Sequence, residues 1–488
     1  MTTNPADTAA ATSAPDSGRI APHHALVIRL LLVSAFVVIL NETIMGVAIP
    51  PLMVSLGVDA GAAQWLTTAF LLTMAVVIPI TGYLLQRLNT RTIFMAAMTL
   101  FCLGTLVAAL APGLPVLVIA RVIQASGTAI MLPLLMTTVM TLVPPESRGK
   151  TMGNLMIVIS VAPAIGPTIS GLILSFLTWR WLFVLVLPIA IAALVLGARR
   201  IENVTTPREA PLDIVSVLLS ALGFGGGVYG LSLIGAPSTP QSFPWAPLAI
   251  GSVGLVAFVV RQLALQRHDR ALLDLRTFTS RNFTVSVVLM AIMMMALFGT
   301  LIVLPIYLQN VRLLTTLETG LLLLPGGLLM GLLGPPVGRQ YDRVGPAKLL
   351  ISGVVIVTAV LWAMTLLGPT TPVPYILAGH LVMSVGFALL FTPLFTVSLS
   401  SVKPHLYSHG SAVLGSTQQL AGAAGVALFI ALMSAENARL LGGGAPKLEA
   451  LAAGIRAAFL CGAVASLCAV VCALFVRKPD SAALAAPH

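Results

Sequence analysis

Gly338-Arg339-Gln340-Tyr341-Asp342-Arg343-Val344-Gly345-Pro346-Ala347-Lys348 is a short polar turn after a long apolar run. Gly82-Tyr83-Leu84-Leu85-Gln86-Arg87-Leu88-Asn89-Thr90-Arg91 has the same character 256 residues earlier. Gly82 aligns with Gly338 and Arg87 with Arg343 at that spacing. A polar turn repeated at fixed distance between apolar runs points to a duplicated unit, and duplicated helical bundles are a common way to build a transporter.

Composition fixes the environment of that duplication. The chain has 488 residues, of which 58% are hydrophobic and 8% charged, with a mean hydropathy of +1.02. Soluble domains carry about 25% charged residues, so a soluble enzyme, a disordered chain and a disulfide scaffold are all excluded. A spanning helix needs about 20 apolar residues. Fourteen such runs occur, at 26–49, 61–85, 92–111, 115–142, 152–176, 181–198, 213–234, 246–263, 283–308, 319–338, 347–367, 373–400, 410–433 and 456–476. The expected fold is therefore an all-α integral membrane protein with 14 transmembrane helices, built as two six-helix bundles with two central helices inserted. Its expected parts are a disordered tail (1–24), an N-terminal bundle (25–200), two linker spans (211–263), a connector (264–282), a C-terminal bundle (283–478) and a short tail (479–488).

The net charge of +11 is not a nucleic-acid signal, because the basic residues sit a few at a time between apolar runs. One set of alternate loops, together with both tails, holds 20 of the 26 Lys and Arg. The other set holds five, Arg180, Arg312, Arg439, Lys447 and Arg456, and Arg121 lies within a span. Cytoplasmic loops carry the excess of Lys and Arg, so both termini are expected in the cytoplasm. The 434–455 stretch, with many Gly and Ala, reads as an outer loop. Cys102, Cys461, Cys468 and Cys472 all lie in apolar runs and read as small buried hydrophobes. No loop houses a catalytic domain, the seven His are scattered, and no phosphate-binding loop pattern occurs. An enzyme is not expected, and no cofactor is required.

Several motifs then acquire a meaning together. Gly338 to Gly345 resembles the signature turn G-x-x-x-D-R-x-G of the major facilitator superfamily. The first copy departs from it, with Gln86 in place of the acid and Asn89 in place of the glycine. Arg121-Val122-Ile123-Gln124-Ala125-Ser126-Gly127 is similar to that family's R-x-x-Q-G/A-x-G motif. Gly166-Pro167-Thr168-Ile169-Ser170-Gly171 is similar to its antiporter motif, with Ala162 where an upstream glycine is usual. Leu40-Asn41-Glu42-Thr43 through Pro50, and Trp179-Arg180-Trp181, resemble the fourteen-span drug:proton antiporters, especially the lincomycin-resistance type. The resemblance spans residues 25–478. It implies a proton-driven exporter of drugs or other small amphipathic compounds in the bacterial plasma membrane. A dedicated exporter of one metabolite or self-made antibiotic is the alternative, and a polytopic membrane enzyme is the remote one.

Residues of interest follow from the cost of polarity in lipid. A charge at the bilayer centre costs roughly 2.5–3.5 kcal/mol on insertion scales, and Glu42 and Arg121 are the two that sit clearly inside spans. They fall at similar depth and form the expected proton-coupling pair: a carboxylate there can exchange a proton, and a nearby arginine can modulate it. A static ion pair and a substrate contact are the competing readings of Glu42. Ala162, Gly166, Pro167, Ser170 and Gly171 supply close helix contact and a possible kink. Gly82, Arg87, Arg91, Gly338, Asp342, Arg343, Gly345 and Lys348 are expected to latch one side of the bundle through charge pairs with helix ends. Met45, Gln64, Trp65, Gln124, Phe298 and Gln418 are the expected lining of a substrate cavity, with Gln419 and Met293, Met294 and Met295 as further candidates. Phe387, Phe391 and Phe395 recur every four residues and read as helix packing. Expected partners are a small-molecule substrate, protons and lipid, with the protein acting as a monomer.

Overall fold

The computed structural model describes residues 21–204, 207, 211–234 and 244–478. The stretches read as tails, at 1–20 and 479–488, and the loop residue Arg208 lie outside the described residues. Among the described residues, fourteen helices are long and apolar enough to cross a bilayer. They are α1 (Pro22–Leu56), α2 (Ala60–Arg87), α3 (Thr90–Leu110), α4 (Leu114–Leu142), α5 (Arg148–Phe176), α6 (Trp181–Arg200), α7 (Ile214–Ile234), α8 (Trp245–Leu265), α9 (Arg281–Asn310), α10 (Thr316–Val344), α11 (Pro346–Met364), α12 (Val373–Ser400), α13 (Tyr407–Gly442) and α14 (Lys447–Leu474). No strand occurs among the described residues. In lipid every backbone N–H and C=O needs an internal partner, which a helix supplies by itself.

Helix pairing displays the duplication. In the first half α3 packs on α4, α2 on α4, α3 on α6, and α1 on α4, α5 and α6. The same set recurs eight helices later: α11 on α12, α10 on α12, α11 on α14, and α9 on α12, α13 and α14. The halves meet along two seams that are also related by this shift, α5 against α10 and α13 against α2. The inserted pair packs on itself and lies along the second seam, with α7 touching both α2 and α13. In and just after a π-helical turn at Ala221–Gly225, Gly223 meets Gly254 of α8 and Gly226 and Gly227 meet Gly251 at backbone distance.

Several boundaries differ from those read in the sequence. Helix α1 starts at Pro22, inside the stretch read as a tail, because Pro needs no N–H partner in a first turn. The 434–455 stretch is mostly helix: α13 runs to Gly442 and α14 begins at Lys447, leaving a turn at 443–446. Within the stretch, Gly454 continues α14 as a close-packing position against the Met433 carbonyl and not as a break.

The connector after α8 is built, not loose. Gln262 is fully buried; its amide donates to Ser216 Oγ (2.7 Å) and accepts from the N–H of Leu272 (2.8 Å) and Leu273 (3.2 Å). Asp213 caps α7 and takes a two-pronged contact from Arg261 (2.6 and 2.7 Å), which holds its carboxyl well below the usual carboxylate range. Asp274 and Asp269 together hold the Arg276 guanidinium above its ordinary value.

The two signature turns differ for a backbone reason. Gly345 follows α10 at φ 79°, a conformation that favours glycine. The first turn passes through Leu88 and Asn89 in extended conformation, so position 89 does not need glycine.

Candidate functional site: a cavity at the bundle interface

The end of the molecule at which α1 begins and α14 ends, here the terminal face, is shut. Along α5 and α10, Gly149 meets Gly338 and Gly153 meets Gly334, with the carbonyl of one where a Cβ of the other would stand. The contact continues through Gly331 beside Val161 and Gly327 beside Ala164. Further out the two helices expose Leu172, Phe176, Leu317 and Leu321. Small residues are what allow such close approach in lipid, where packing and not hydrophobicity drives helix association.

Asp342 closes this seam. Its carboxylate accepts from the backbone N–H of Gly149 (2.8 Å) and Lys150 (2.9 Å), in the first turn of α5. An anion at a helix N-terminus satisfies free donors and the helix dipole together. At the other seam Gln86 donates instead to the carbonyl of His405 (2.8 Å), just before α13. An acid there would face a carbonyl oxygen, so the neutral amide suits the first copy. The basic residues of the two turns lie on the surface of this face. Arg343, Lys348 and Arg91 are exposed, and Arg87 donates to Tyr83 Oη (2.5 Å) on its own helix.

Above the shut seams lies a cavity of about 40 Å³, room for roughly three waters. Its walls come from α1 (Ile39, Glu42), α2 (Met74, Ile78), α4 (Thr128, Ala129, Leu132, Pro133, Met136) and α13 (Ser411, Gly415, Gln418, Gln419). It therefore lies where the bundles meet. Glu42 is its one acidic group, and no Lys, Arg or aromatic residue lines it. Gln418 and Gln419 hold their amides near the sulfur atoms of Met290 (4.0 Å) and Met74 (3.8 Å). Thr137 of α4 donates to Ser411 of α13 (3.2 Å), joining the bundles at the cavity wall.

Glu42 and Arg121 are not an ion pair in this conformation. Arg121, 1% exposed, donates to Gln124 Oε1 (2.6 Å), Asn41 Oδ1 (3.3 Å) and the Leu66 carbonyl (3.4 Å), and its guanidinium lies 4.0 Å over the Phe70 ring. Gln124 passes the chain on to Thr105 Oγ1 (2.8 Å). Glu42 accepts no hydrogen bond and makes no ion pair among the described residues. The two residues make no direct ion-pair contact in this conformation and act on each other only from a distance. The sequence reading missed Asn41 and Thr105, although a polar residue inside an apolar span was the available signal for both. Replacing Arg121 with Ala strands two buried side-chain acceptors, Asn41 Oδ1 and Gln124 Oε1, at about 1–3 kcal/mol each. We expect thermal unfolding in detergent to shift down by several degrees, with Arg121→Lys recovering part of the loss.

The antiporter motif acts on the same place. Ala162, Gly166 and Ser170 share one buried face of α5 against α1. A Cβ on Gly166 would overlap the Thr43 hydroxyl, and Ser170 Oγ donates to the Ile44 carbonyl (2.9 Å). The residues immediately after Glu42 are thus clamped. Pro167 and Gly171 face away, exposed, with nothing within 4 Å of a Cβ on Gly171.

Most of the expected cavity lining lies elsewhere. Gln418 lines the cavity. Gln124 is buried in the arginine network, and Met45 is buried in the first bundle. Trp65 is half exposed and stacks on Tyr229 of α7, at 5.9 Å between centroids. Phe298 is exposed on one side and covers Gly422 on the other. Gln64 is partly exposed and outside the cavity. Position along a span was legible, but the face it presents depends on neighbours. Phe387, Phe391 and Phe395 form a buried stack.

Two bundles related by duplication are closed together at one face, beside a largely apolar cavity that Glu42, Gln418 and Gln419 reach. The chain belongs to the Major Facilitator Superfamily, which it matches over residues 31–426. It is 39% identical to the MFS-type transporter YcnB of Bacillus subtilis, over 94% of this chain and 96% of that one. It is 38% identical to the lincomycin resistance protein LmrB of Listeria monocytogenes, over 93% and 96%. A multidrug resistance protein B homolog of Mycobacterium tuberculosis is 29% identical, over 81% and 73%. The fold matches that of the human organic anion transporter MFSD10 with a TM-score of 0.66 at 14% identity, covering 93% of this chain and all of that one. It also matches the proton:xylose symporter XylE with a TM-score of 0.61 at 16% identity, covering 93% and 96%. The chain is a multi-pass membrane transporter and not an enzyme.

Proposed function

We propose that this transporter exports drugs or other small amphipathic compounds in exchange for protons, with Glu42 as the coupling group. The observation that carries the reading is the unpartnered carboxylate of Glu42 in a cavity between the two bundles. A carboxylate with no ion in direct contact is expensive at that depth, and Arg121 acts on it only from a distance, so Glu42 is neutralised either by a proton or by a cationic substrate. The two occupants therefore exclude each other, which is what exchange requires. The lining suits the cargo: one carboxylate and two amides fix a polar or cationic head, and Met74 and Met136 adapt to an apolar body. The similarity to lincomycin and multidrug resistance proteins supports this class of cargo.

The 20 to 5 division of Lys and Arg supports a cytoplasmic position for the terminal face in a bacterial plasma membrane. The shut conformation is then the outward-facing one. A drug-sized ligand needs a pocket of roughly 300–1,000 Å³, so the cavity expands when the bundles rock. The protein works as a monomer, because the seams lie within one chain. No cofactor enters the cycle; the membrane potential supplies about 2.3 kcal/mol per charge per 100 mV.

Energised cells expressing the protein are expected to expel ethidium, and a protonophore to stop them. Efflux that survives the protonophore would remove proton coupling. Absence of ethidium efflux, with efflux of one narrower compound, would favour the dedicated exporter.

A further inference from the structure

His409 is a buried titratable group that the cycle above does not use. It lies near the start of α13, 2% exposed, and its Nδ1 has no hydrogen-bond partner. The α2–α13 seam closes directly on it: a Cβ on Gly82 would come 2.9 Å from His409 Nδ1 and 3.3 Å from its Cα. Gln86 bridges the same seam about one turn nearer the terminal face. Ser411, two residues deeper in α13, lines the cavity. His409 thus stands between the cavity and the terminal face.

The groups around it offer a positive imidazole no free counter-charge. The connector brings Asp274 and Arg276, the turn before α13 brings His405, and α2 brings the uncharged Gly82 and Gln86. Asp274 is already held by Arg276 through both carboxylate oxygens, at 2.5–3.0 Å. A charged His409 in the closed seam would be a buried ion without a partner, which is strongly disfavoured. Once the seam parts and water reaches the ring, an imidazole titrates near pH 6.5.

We propose that His409 is a proton-sensitive wedge: the α2–α13 seam closes only around a neutral imidazole, so acid at the terminal face holds that face open. The proposal rests on the alternating-access reading and adds to it a brake separate from Glu42. The sign follows from linkage. The open form binds a proton that the closed form excludes, so falling pH favours the open form. One pH unit below the open-form midpoint, about ten open molecules in eleven carry the proton, and the closed-to-open ratio falls roughly tenfold.

The test places spin labels at Leu88→Cys and Lys403→Cys, beside the terminal ends of the two helices, after Cys102, Cys461, Cys468 and Cys472 are replaced by Ala. Distances are read by pulsed electron resonance in lipid nanodiscs from pH 8 to 5.5. The labelled parent and its Glu42→Gln form are expected to gain the separated population as pH falls. His409→Gln and His409→Asn are expected to lose that gain. An unchanged pH response in both His409 variants would overturn the proposal. A pair that stays closed at every pH in every chain would count against the alternating-access reading and the proposal with it. Should neither variant stay monodisperse, histidine C2–H exchange read by mass spectrometry on the unmodified chain decides. A His409 titration step that coincides with the distance change supports the wedge, and its absence overturns it.

Discussion

Glu42→Gln is expected to bring proton-driven ethidium efflux down to the rate of cells lacking the protein. The substitution keeps the shape of the side chain and its place on the cavity wall of α1. It removes only the group that can alternate between a proton and a cation. Because the wild-type carboxylate makes no direct contact to orphan and Arg121 keeps its own three hydrogen bonds, the variant is expected to reach the membrane at the wild-type level. Its thermal unfolding should move by no more than a degree or two, since an unpaired charge in lipid is a cost and not a support. The decisive readout is a comparison of two fluxes. Net efflux against a gradient needs proton exchange and should vanish. Equilibrium exchange of labelled for unlabelled substrate needs no net proton movement and should persist within a few-fold. Loss of both fluxes would make Glu42 a substrate contact alone, and retention of net efflux would remove it from the coupling.

Gly153→Leu is expected to abolish efflux by a different route. Gly153 lies where α5 crosses α10, and even a Cβ there would overlap the Gly334 carbonyl. Overpacking of a well-packed contact costs typically 1–3 kcal/mol, and the cost falls only on the conformation in which the seam is shut. The equilibrium should therefore move toward an open terminal face by about 5- to 150-fold. Added cysteines on that face should react faster with a membrane-impermeant maleimide in inside-out vesicles. Gly171→Ala is the matched control. It lies on the same helix, in the same motif region, with open space around its Cβ position. It should leave efflux unchanged and, by removing a helix glycine, stabilise by up to about 1 kcal/mol. Equal damage by both substitutions would mean that helix flexibility, and not the seam, is the sensitive property.

The two variants separate what in this molecule is chemistry from what is contact. They also show how far such features can be read in one dimension. Glu42 was legible because a charge inside an apolar run is costly wherever it points. Gly153, Gly334 and Gly331 carried no such signal. A glycine in a membrane helix is common, and its importance depends on which backbone passes within reach. The same limit applies to the cavity. Gln124 and Gln418 are alike in the sequence, yet one is buried in the Arg121 network and the other faces the space between the bundles.

The amino-acid sequence alone determined the solvent, the number of helices and the doubling of the chain. Each of these rests on quantities that add along the chain: apolar length against bilayer thickness, and a polar turn repeated at 256 residues. Tertiary structure decided the pairings. It gave Arg121 to Asn41 and Gln124, leaving Glu42 unpartnered. It set Asp342 on the first turn of α5 while Gln86 reached a carbonyl, and it closed α2 onto His409. A side chain's depth in the membrane follows from its position in the run. Its partner follows from helix rotation and crossing, which packing between residues far apart in the chain decides.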